Sequence, residues 1–331
     1  MAVASAFVAA AVSLPLWRRW CVRVGLVDAP GHRKIHDRTV PLAGGLAVMT
    51  GLLVPIALAA LFLWWQGIEG RPPAEAAFLT SGMDSGSASL LRYGFGRRAL
   101  ELGGILAGAV GMLVVGLIDD HCELRPATKF AGQALIAFLV AACGARITLF
   151  VPNTLFHYAA TMLWILTIIN AFNFMDNMNG LCSGLGAIGA WYFAALAAAA
   201  GQYLVALTAF LTFGALLGFL PYNFPNARAF LGDAGSHLTG YLLAVLAILP
   251  HFYTAQHPHE WAVLVPLLVL AVPLIDLTQV VILRWRAGRP FYIGDTNHLS
   301  HRLVRAGLSR TRAVLALWLL AALLGAIVCL A

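Results

Sequence analysis

Hydrophobic residues in this chain gather into ten apolar segments, which are separated by stretches that contain charged residues, Gly or Pro. Several segments approach the roughly 20 residues that a helix needs to cross about 30 Å of hydrocarbon, and the shorter ones would also suit re-entrant helices. The pattern therefore predicts an all-α polytopic integral membrane protein with about ten transmembrane helices, folded as a single domain over residues 1–331. The ten segments cover approximately residues 1–17, 43–65, 99–118, 130–145, 156–172, 182–200, 203–220, 235–250, 261–283 and 312–331.

The composition excludes an ordinary soluble domain. Of the 331 residues, 61% are hydrophobic and 11% are charged, whereas a soluble domain carries roughly 25% charged residues. The five cysteines form no CxxC pair and therefore indicate neither a metal motif nor a redox motif. The first segment lacks a basic start and is followed by Arg18 and Arg19, so we interpret it as a retained anchor and not as a cleavable signal peptide.

The basic residues lie mainly on one side of the predicted bundle. Sixteen of the 21 Lys and Arg residues lie in or beside the loops that follow odd-numbered segments. Cytoplasmic loops carry an excess of Lys and Arg, so we expect these loops on the cytoplasmic side of a bacterial inner membrane and both termini outside. We therefore attribute the net charge of +7 to loops that face a membrane surface, and we expect no nucleic acid as a partner. Residues 66–98, which include a Ser- and Gly-rich stretch, are interpreted as a flexible external loop.

Asp119 and Asp120 close the third apolar segment. Two adjacent carboxylates repel each other unless a cation lies close to them, and such oxygen ligands suit Mg²⁺ together with substrate phosphates. The alternative is a solvated helix end. Lys129, at the start of the next segment, could extend toward the membrane interface or supply a point charge for phosphate.

Asn170, Asn173 and Asp176 are spaced by three residues and share one helical face. They follow an apolar run directly, where an unpaired polar group costs free energy. Hydrogen bonds between helices would satisfy these side chains, but three of them in register favour a ligand-binding face. We therefore expect Asn170 and Asp176 to contact the substrate.

The stretch 230–236, Phe-Leu-Gly-Asp-Ala-Gly-Ser, opens the eighth segment. Asp233 and Ser236 at a glycine-rich helix start would allow the backbone to approach a metal-bound phosphate closely. Asp and Ser are also the preferred N-cap residues of helices, so both interpretations stay open.

The stretch 289–302 combines two arginines, Arg289 and Arg302, with His298 and His301, which are three residues apart. We expect these histidines and Arg302 to contact an anionic substrate. Zinc is disfavoured because no Cys is nearby and no HExxH motif is present, whereas the binding of anionic lipid head groups without catalysis is an alternative. Asp276, inside the ninth segment, is a further candidate because an ionisable residue at membrane depth commonly has a function.

The polar clusters at residues 119–129, 170–180, 230–236 and 289–302 follow one another in a characteristic order. In this order the chain resembles the polyprenyl-phosphate N-acetylhexosamine-1-phosphate transferases of glycosyltransferase family 4. The similarity also includes residues 25–30, 33–36, 41–45 and 297–301. The resemblance implies Mg²⁺ ligation by Asn173 and Asp233, with Mn²⁺ as a substitute ion. It implies catalytic roles for three aspartates, Asp119, Asp120 and Asp233. It also implies substrate binding by six polar residues, which are Lys34, His36, Lys129, Asp176, His298 and His301.

Two departures from the family pattern are visible. The usual Asp-Gly-x-Asp-Gly reads Asp-Asn-Met-Asn-Gly over residues 176–180, so that Asn179 lacks the charge of the family's second aspartate. The histidine loop reads His-x-x-His and lacks the run of three histidines of the enzyme that makes peptidoglycan lipid I. The second departure favours the branch of the family that transfers GlcNAc-1-phosphate.

The resemblance therefore implies a Mg²⁺-dependent phosphotransferase that moves GlcNAc-1-phosphate from a UDP-N-acetylhexosamine to undecaprenyl phosphate in the membrane. The products would be UMP and a lipid diphospho-sugar for cell-wall or polysaccharide biosynthesis. The alternatives are lipid I synthesis, a transporter and a non-catalytic scaffold. A transporter would have repeated halves and polar residues near the midplane, unlike the one-sided clusters of this chain. A homodimer is an alternative to a monomer.

Overall fold

Apolar helices form most of the structure, a computed structural model that describes residues 1–29, 39–68, 98–148, 151–250, 260–290, 292 and 295–330. Lys34, His36 and most of the expected external loop at 66–98 lie outside the described residues. Two short strands, β1 (Val27–Asp28) and β2 (Val40–Pro41), and a 3₁₀ helix at Glu260–Leu264 accompany the α-helices. In chain order, the described α-helices are α1 (Ala2–Val24), α2 (Gly44–Ile68), α3 (Ala99–Cys122), α4 (Pro126–Ala142), α5 (Thr154–Met175), α6 (Leu181–Ala199), α7 (Tyr203–Asn223), α8 (Gly232–Ile248), α9 (Val265–Val269), α10 (Ala271–Arg286), α11 (Leu299–Arg305) and α12 (Arg310–Leu330).

Six helices of the described part, α2, α3, α5, α6, α7 and α12, are long and apolar enough to cross a membrane. A seventh span results if the pair Ala262–Val269 and Ala271–Arg286, bent by 70°, counts as one. Helices α4 and α8 have 17 residues each, which is about 26 Å at 1.5 Å per residue. The structure therefore agrees with an all-α polytopic membrane protein, whereas the expected count of ten spans is not confirmed.

Helix α8 lies at the centre of the bundle. It packs against α2, α3, α5 and α6, and every residue from 232 to 247 except Asp233 is buried. A helix that is apolar on every side is stable only inside such a packing. Asp233, in the first turn of α8, is therefore the one partly exposed residue between positions 232 and 247.

Gly116 allows α3 to approach α8 at backbone distance. A Cβ atom at this position would lie 2.3 Å from Ala234 Cα, which is closer than any side chain tolerates. Small residues at helix contacts allow this kind of approach in membrane proteins. Because Asp119 and Asp120 follow Gly116 by about one helical turn, the contact brings both carboxylates to the start of α8.

Strand β2, which pairs with β1, binds the segment before α8 through backbone hydrogen bonds. Strands β1 and β2 pair antiparallel, with Val27 opposite Pro41. The Phe230 N–H donates to the Pro41 carbonyl at 3.0 Å, and the Gly44 N–H donates to the Phe230 carbonyl at 2.9 Å. The start of α8 is therefore held beside the start of α2.

The close approach of α3 and α8 is tested by Gly116→Ala, with Gly103→Ala on the same helix as the matched control. The first variant forces a methyl group against the backbone of α8, and overpacking of this kind costs about 1–3 kcal/mol. At Gly103, which is exposed, a Cβ atom meets no described atom within 4 Å. We expect thermal unfolding in detergent to shift downward for Gly116→Ala only; equal midpoints for the two variants would contradict the packing.

Candidate active site

Polar residues from four helices meet at the start of α8. Asp119 lies in the last turn of α3, Lys129 in the first turn of α4, Asn173 in the last turn of α5, and Asp233 in the first turn of α8. These four residues come from three separate sequence clusters and are linked to one another by the contacts described below. The structure thus places in one site the residues for which the sequence predicted catalysis, metal ligation and phosphate binding.

Lys129 bridges two carboxylates. Its Nζ atom lies 2.6 Å from Asp119 Oδ2 and 3.2 Å from Asp233 Oδ2. Asp119 is 7% exposed and also accepts a hydrogen bond from the Leu124 N–H at 2.8 Å. The ammonium group therefore offsets the repulsion between two carboxylates that packing has forced together. Lys129 is directed into the site and not toward the membrane interface.

Asp120 caps α8 from a different helix. Its Oδ1 accepts from the Asp233 N–H at 2.7 Å and its Oδ2 accepts from the Ala234 N–H at 3.0 Å. The first N–H groups of a helix lack partners within the helix, and their partial positive charge favours a carboxylate. Gly232 adopts φ +71°, and a Cβ atom there would lie 2.7 Å from Asp120 Oδ2, so this turn requires glycine.

The alternative interpretation of Asp233 as an N-cap is wrong. The N-cap residue of α8 is Leu231, which makes no side-chain cap hydrogen bond. Since Asp120 satisfies the helix start, the Asp233 carboxylate is free to face Lys129 and Asn173. Asn173 Nδ2 donates to Asp233 Oδ1 and to Ser236 Oγ, the latter at 3.0 Å.

Asp176, at the end of α5, adds a further carboxyl group close to the start of α8. It accepts a hydrogen bond from the Gly232 N–H, which favours the ionised form. Burial and the negative charges of Asp233 and Asp120 outweigh this bond and raise the pKa of Asp176 to about 8. At neutral pH the Asp176 carboxyl group is therefore mostly protonated unless a cation is present.

Among the described residues, one group of His, Cys, Asp or Glu side chains brings three ligand atoms together. These atoms belong to Asp119, Asp233 and His237 and lie within 4.8 Å of one another. His237 was not among the residues predicted from the sequence, although an ionisable residue inside an otherwise apolar helix indicates a function. Two carboxylates and an imidazole form a donor set that suits a divalent cation.

Asn170 takes part in a hydrogen-bond chain between helices. Its Nδ2 donates to Gln133 Oε1 at 3.0 Å and to the Leu166 carbonyl at 2.8 Å. Gln133 Nε2 in turn lies 3.3 Å from His237 Nε2. Asn170, expected from the sequence to bind substrate, therefore contacts the site through Gln133 and His237.

The histidine loop is held by a buried carboxylate. His298 Nδ1 lies 2.7 Å from Asp276 Oδ2, and the Leu299 N–H donates to Asp276 Oδ1 at 2.6 Å. Asp276 is fully buried in α10. Because a carboxylate can only accept, the proton of His298 lies on Nδ1, and Nε2 is left as the second ring nitrogen.

The histidine loop also contacts the end of α5. Ser300 Oγ donates to Asn177 Oδ1 at 2.6 Å, and the ring of Phe174 packs edge-on against His298 with 5.6 Å between centroids. Arg284 stacks over the same Phe174 ring at 4.9 Å. The second and fourth sequence clusters are thereby joined, although more than 100 residues separate them.

Asp295 is the acidic residue within the histidine loop itself. Burial opposes its ionisation, but hydrogen bonds from Arg284 Nε at 3.0 Å and from the Asn297 N–H at 2.9 Å hold its pKa below the usual value. Asp295 therefore carries a negative charge at neutral pH and pairs with Arg284.

His301 and Arg302 lie in α11, directly after His298. The rings of His298 and His301 are 6.2 Å apart, and burial together with His298 and Arg305 lowers the pKa of His301. Arg302 is exposed and donates from Nη1 to Gln279 Oε1 at 2.7 Å. His301 therefore lies beside His298, and Arg302 binds α10 through Gln279.

The two asparagines that depart from the family pattern bind backbone carbonyls. Asn177 Nδ2 donates to the Phe174 carbonyl at 2.6 Å, and Asn179 Nδ2 donates to the Pro225 carbonyl at 3.0 Å. A glycine at position 177 would lack the first donor, and an ionised carboxylate at position 179 could not donate the second bond. These amides therefore stabilise the loop that follows Asp176.

Comparison with known proteins identifies a family and several similar enzymes. The model of glycosyl transferase family 4 matches residues 102–251, which include Asp119, Asn173 and Asp233. The probable undecaprenyl-phosphate N-acetylglucosaminyl 1-phosphate transferase of Bacillus subtilis is 29% identical over 314 residues, covering 92% of this chain and 77% of the relative. The decaprenyl-phosphate N-acetylglucosaminephosphotransferase of Mycobacterium tuberculosis is 33% identical over 323 residues, covering 90% and 73%. The undecaprenyl-phosphate alpha-N-acetylglucosaminyl 1-phosphate transferase of Salmonella typhi is 26% identical over 339 residues, covering 98% and 81%.

The Mycobacterium tuberculosis relative is 33% identical over 90% of this chain, and such a similarity shows a shared family. The family model covers helices α3 to α8, which carry the carboxylate site. The chain therefore belongs to glycosyl transferase family 4.

Proposed function

We propose that this protein transfers GlcNAc-1-phosphate from UDP-GlcNAc to undecaprenyl phosphate and releases UMP. The observation that carries the proposal is the arrangement of Asp119, Lys129 and Asp233 at the start of α8, with Nζ within 3.2 Å of both carboxylates. A site of this charge suits a diphosphate held through a cation. The three relatives described above, each named for GlcNAc-phosphate transfer to a polyprenyl phosphate, support the same donor and acceptor classes.

In the proposed reaction an oxygen of the lipid phosphate attacks the β-phosphorus of the nucleotide sugar. A new P–O bond forms, the bond from the β-phosphorus to the bridging oxygen breaks, and that oxygen leaves with UMP. Such a transfer depends on positioning and on charge neutralisation more than on covalent help from the protein. The second proton of a phosphate monoester leaves near pH 6, so the acceptor requires little assistance from a base at neutral pH.

The two adjacent aspartates have different proposed roles. Both oxygens of Asp120 bind the backbone of α8, so Asp120 is a positioning residue that fixes Asp233. Asp119 is the member of the pair that faces Lys129. We assign to it the hydrogen bond from the last proton of the lipid phosphate and the removal of that proton.

Asp233 and Asn173 would hold Mg²⁺, with Asp119 close by. Carboxylate and amide oxygens are the ligands that Mg²⁺ prefers, in company with substrate phosphates. When bound, the ion supplies charge neutralisation for the diphosphate and Lewis acidity toward the β-phosphorus. Lys129 then donates to a phosphate oxygen at which negative charge develops.

Residues of the histidine loop would bind the donor. In its doubly protonated form the His298 ring would donate from Nδ1 to Asp276 and from Nε2 to a phosphate oxygen. His301 and Arg302 would bind the nucleotide side of the diphosphate. Asp176 and Asn170 would contribute to substrate binding beside Asp119 and Asp233. Lys34 and His36, outside the described residues, belong to the proposed lipid-phosphate contact.

The proposed topology has ten spans in a bacterial inner membrane, with the site on the cytoplasmic side and both termini outside. The bias of Lys and Arg toward the loops after odd-numbered segments supports this orientation. The location of Asp119, Lys129 and Asp233 at helix ends supports an enzyme at the membrane surface, in contrast to a transporter with a midplane site.

The proposed reaction predicts that detergent-purified protein releases UMP from UDP-GlcNAc only when undecaprenyl phosphate and Mg²⁺ are both present. Asp233→Ala should lower the rate at least about 100-fold, because it removes charge stabilisation at the reacting phosphates. Glu123→Gln, at an exposed carboxylate beside the same end of α3, is the matched control and should retain the wild-type rate.

The donor arms of this assay separate the alternatives. UMP release from UDP-GalNAc would change the sugar assignment, and release from UDP-MurNAc-pentapeptide alone would indicate lipid I synthesis. The absence of release with every donor, from protein with a cooperative unfolding transition, would refute the enzymatic proposal and favour a scaffold.

The contact between Asp276 and His298 predicts a second effect on the rate. Asp276→Asn replaces the carboxylate by a neutral amide, which cannot balance the charge of a doubly protonated His298 ring, and it should lower kcat about 10- to 100-fold. If Asp276 acts through His298, adding Asp276→Asn to His298→Ala should cause no further loss. Multiplicative losses in the double variant, or a large drop in thermal stability of Asp276→Asn, would show a merely structural role.

A further inference from the structure

His237 lies on the face of α8 that carries Asp233. The two residues are four positions apart, which places their side chains on the same side of a helix. His237 is fully buried, and one of its ring nitrogens lies within 4.8 Å of carboxylate oxygens of Asp119 and Asp233. Opposite ligands of an octahedral ion at about 2.1 Å are about 4.2 Å apart, so small movements would close these three groups around an ion.

The imidazole has one nitrogen that the described protein leaves without a partner. Within the described part of the chain, His237 Nδ1 is buried and makes no hydrogen bond, which is rare for a buried polar atom. The other nitrogen, Nε2, lies 3.3 Å from Gln133 Nε2. Concerted rotation of the Gln133 and Asn170 amides would keep their mutual hydrogen bond and present Gln133 Oε1 to an Nε2–H group, which is the usual support for a metal-bound histidine.

We infer that His237 supplies a nitrogen ligand to the divalent cation of this site and makes the site select transition metals such as Mn²⁺ over Mg²⁺. The inference rests on the proposed function in one respect, namely that a cation binds at Asp233. Mg²⁺ takes oxygen ligands almost exclusively, whereas imidazole nitrogen raises the affinity for first-row transition metals. A site of oxygen ligands alone would lack this preference.

Lys129 does not oppose this assignment. Its ammonium group balances Asp119 and Asp233 in the absence of an ion, and its flexible side chain can turn to a substrate phosphate when an ion takes its place. Two carboxylates and one neutral imidazole leave a bound divalent cation electrically balanced, with further positions open for phosphate oxygens.

The test measures Mn²⁺ binding to the full-length protein in detergent by electron paramagnetic resonance, without substrate. Electron spin echo modulation from a directly bound ¹⁴N is expected for the wild type and is expected to vanish in His237→Gln, which replaces nitrogen by an oxygen donor of similar size. His121→Gln, at an exposed histidine next to Asp120, is the matched control and should keep the modulation. Mn²⁺ affinity should fall at least about tenfold in His237→Gln, while Mg²⁺ affinity, measured by competition, should change far less.

Wild-type protein that binds Mn²⁺ without ¹⁴N modulation would overturn the inference, and this measurement does not depend on the folding of any variant. Modulation that persists in His237→Gln would overturn it as well. In either case UMP release that still requires a cation would leave the proposed function intact. Loss of all cation binding and of UMP release in the wild type would instead refute the proposed function.

Discussion

Helix α8 begins inside the protein, with Gly232 and Ala234 buried on either side of the partly exposed Asp233. A buried helix start requires hydrogen-bond acceptors from elsewhere in the fold. Asp120 provides both of its oxygens to the N–H groups of Asp233 and Ala234. This contact depends on the close approach of α3 at Gly116, and it leaves the Asp233 side chain free for the centre of the site.

Carboxylates accumulate around this helix start, and their repulsion must be offset. Lys129 supplies one positive charge between Asp119 and Asp233, and protonation of Asp176, whose pKa is raised to about 8, removes another negative charge. A divalent cation and a phosphate-bearing substrate would complete the neutralisation in the proposed reaction. The charge that makes the site costly without a ligand is therefore the same charge that suits it to a metal-bound diphosphate.

The histidine loop reaches this centre through contacts that do not involve the carboxylates. Asp276 fixes the proton of His298 on Nδ1, Ser300 binds Asn177, and Phe174 packs against the His298 ring. The loop is thus anchored both to α10 and to the end of α5. Its orientation follows from buried groups, as is typical when a side chain must present one defined ring nitrogen.

The sequence by itself determined the helical membrane class, the polar clusters at helix ends and the family, because long apolar segments and ordered motifs are local properties of the chain. It could not decide which adjacent aspartate caps α8, that Asn170 bonds Gln133, or that His237 joins Asp119 and Asp233. Each of these outcomes depends on partners between 37 and 118 residues away. The tertiary structure decided them, because helix packing sets the direction of each side chain, and no local periodicity encodes which distant helix will lie opposite.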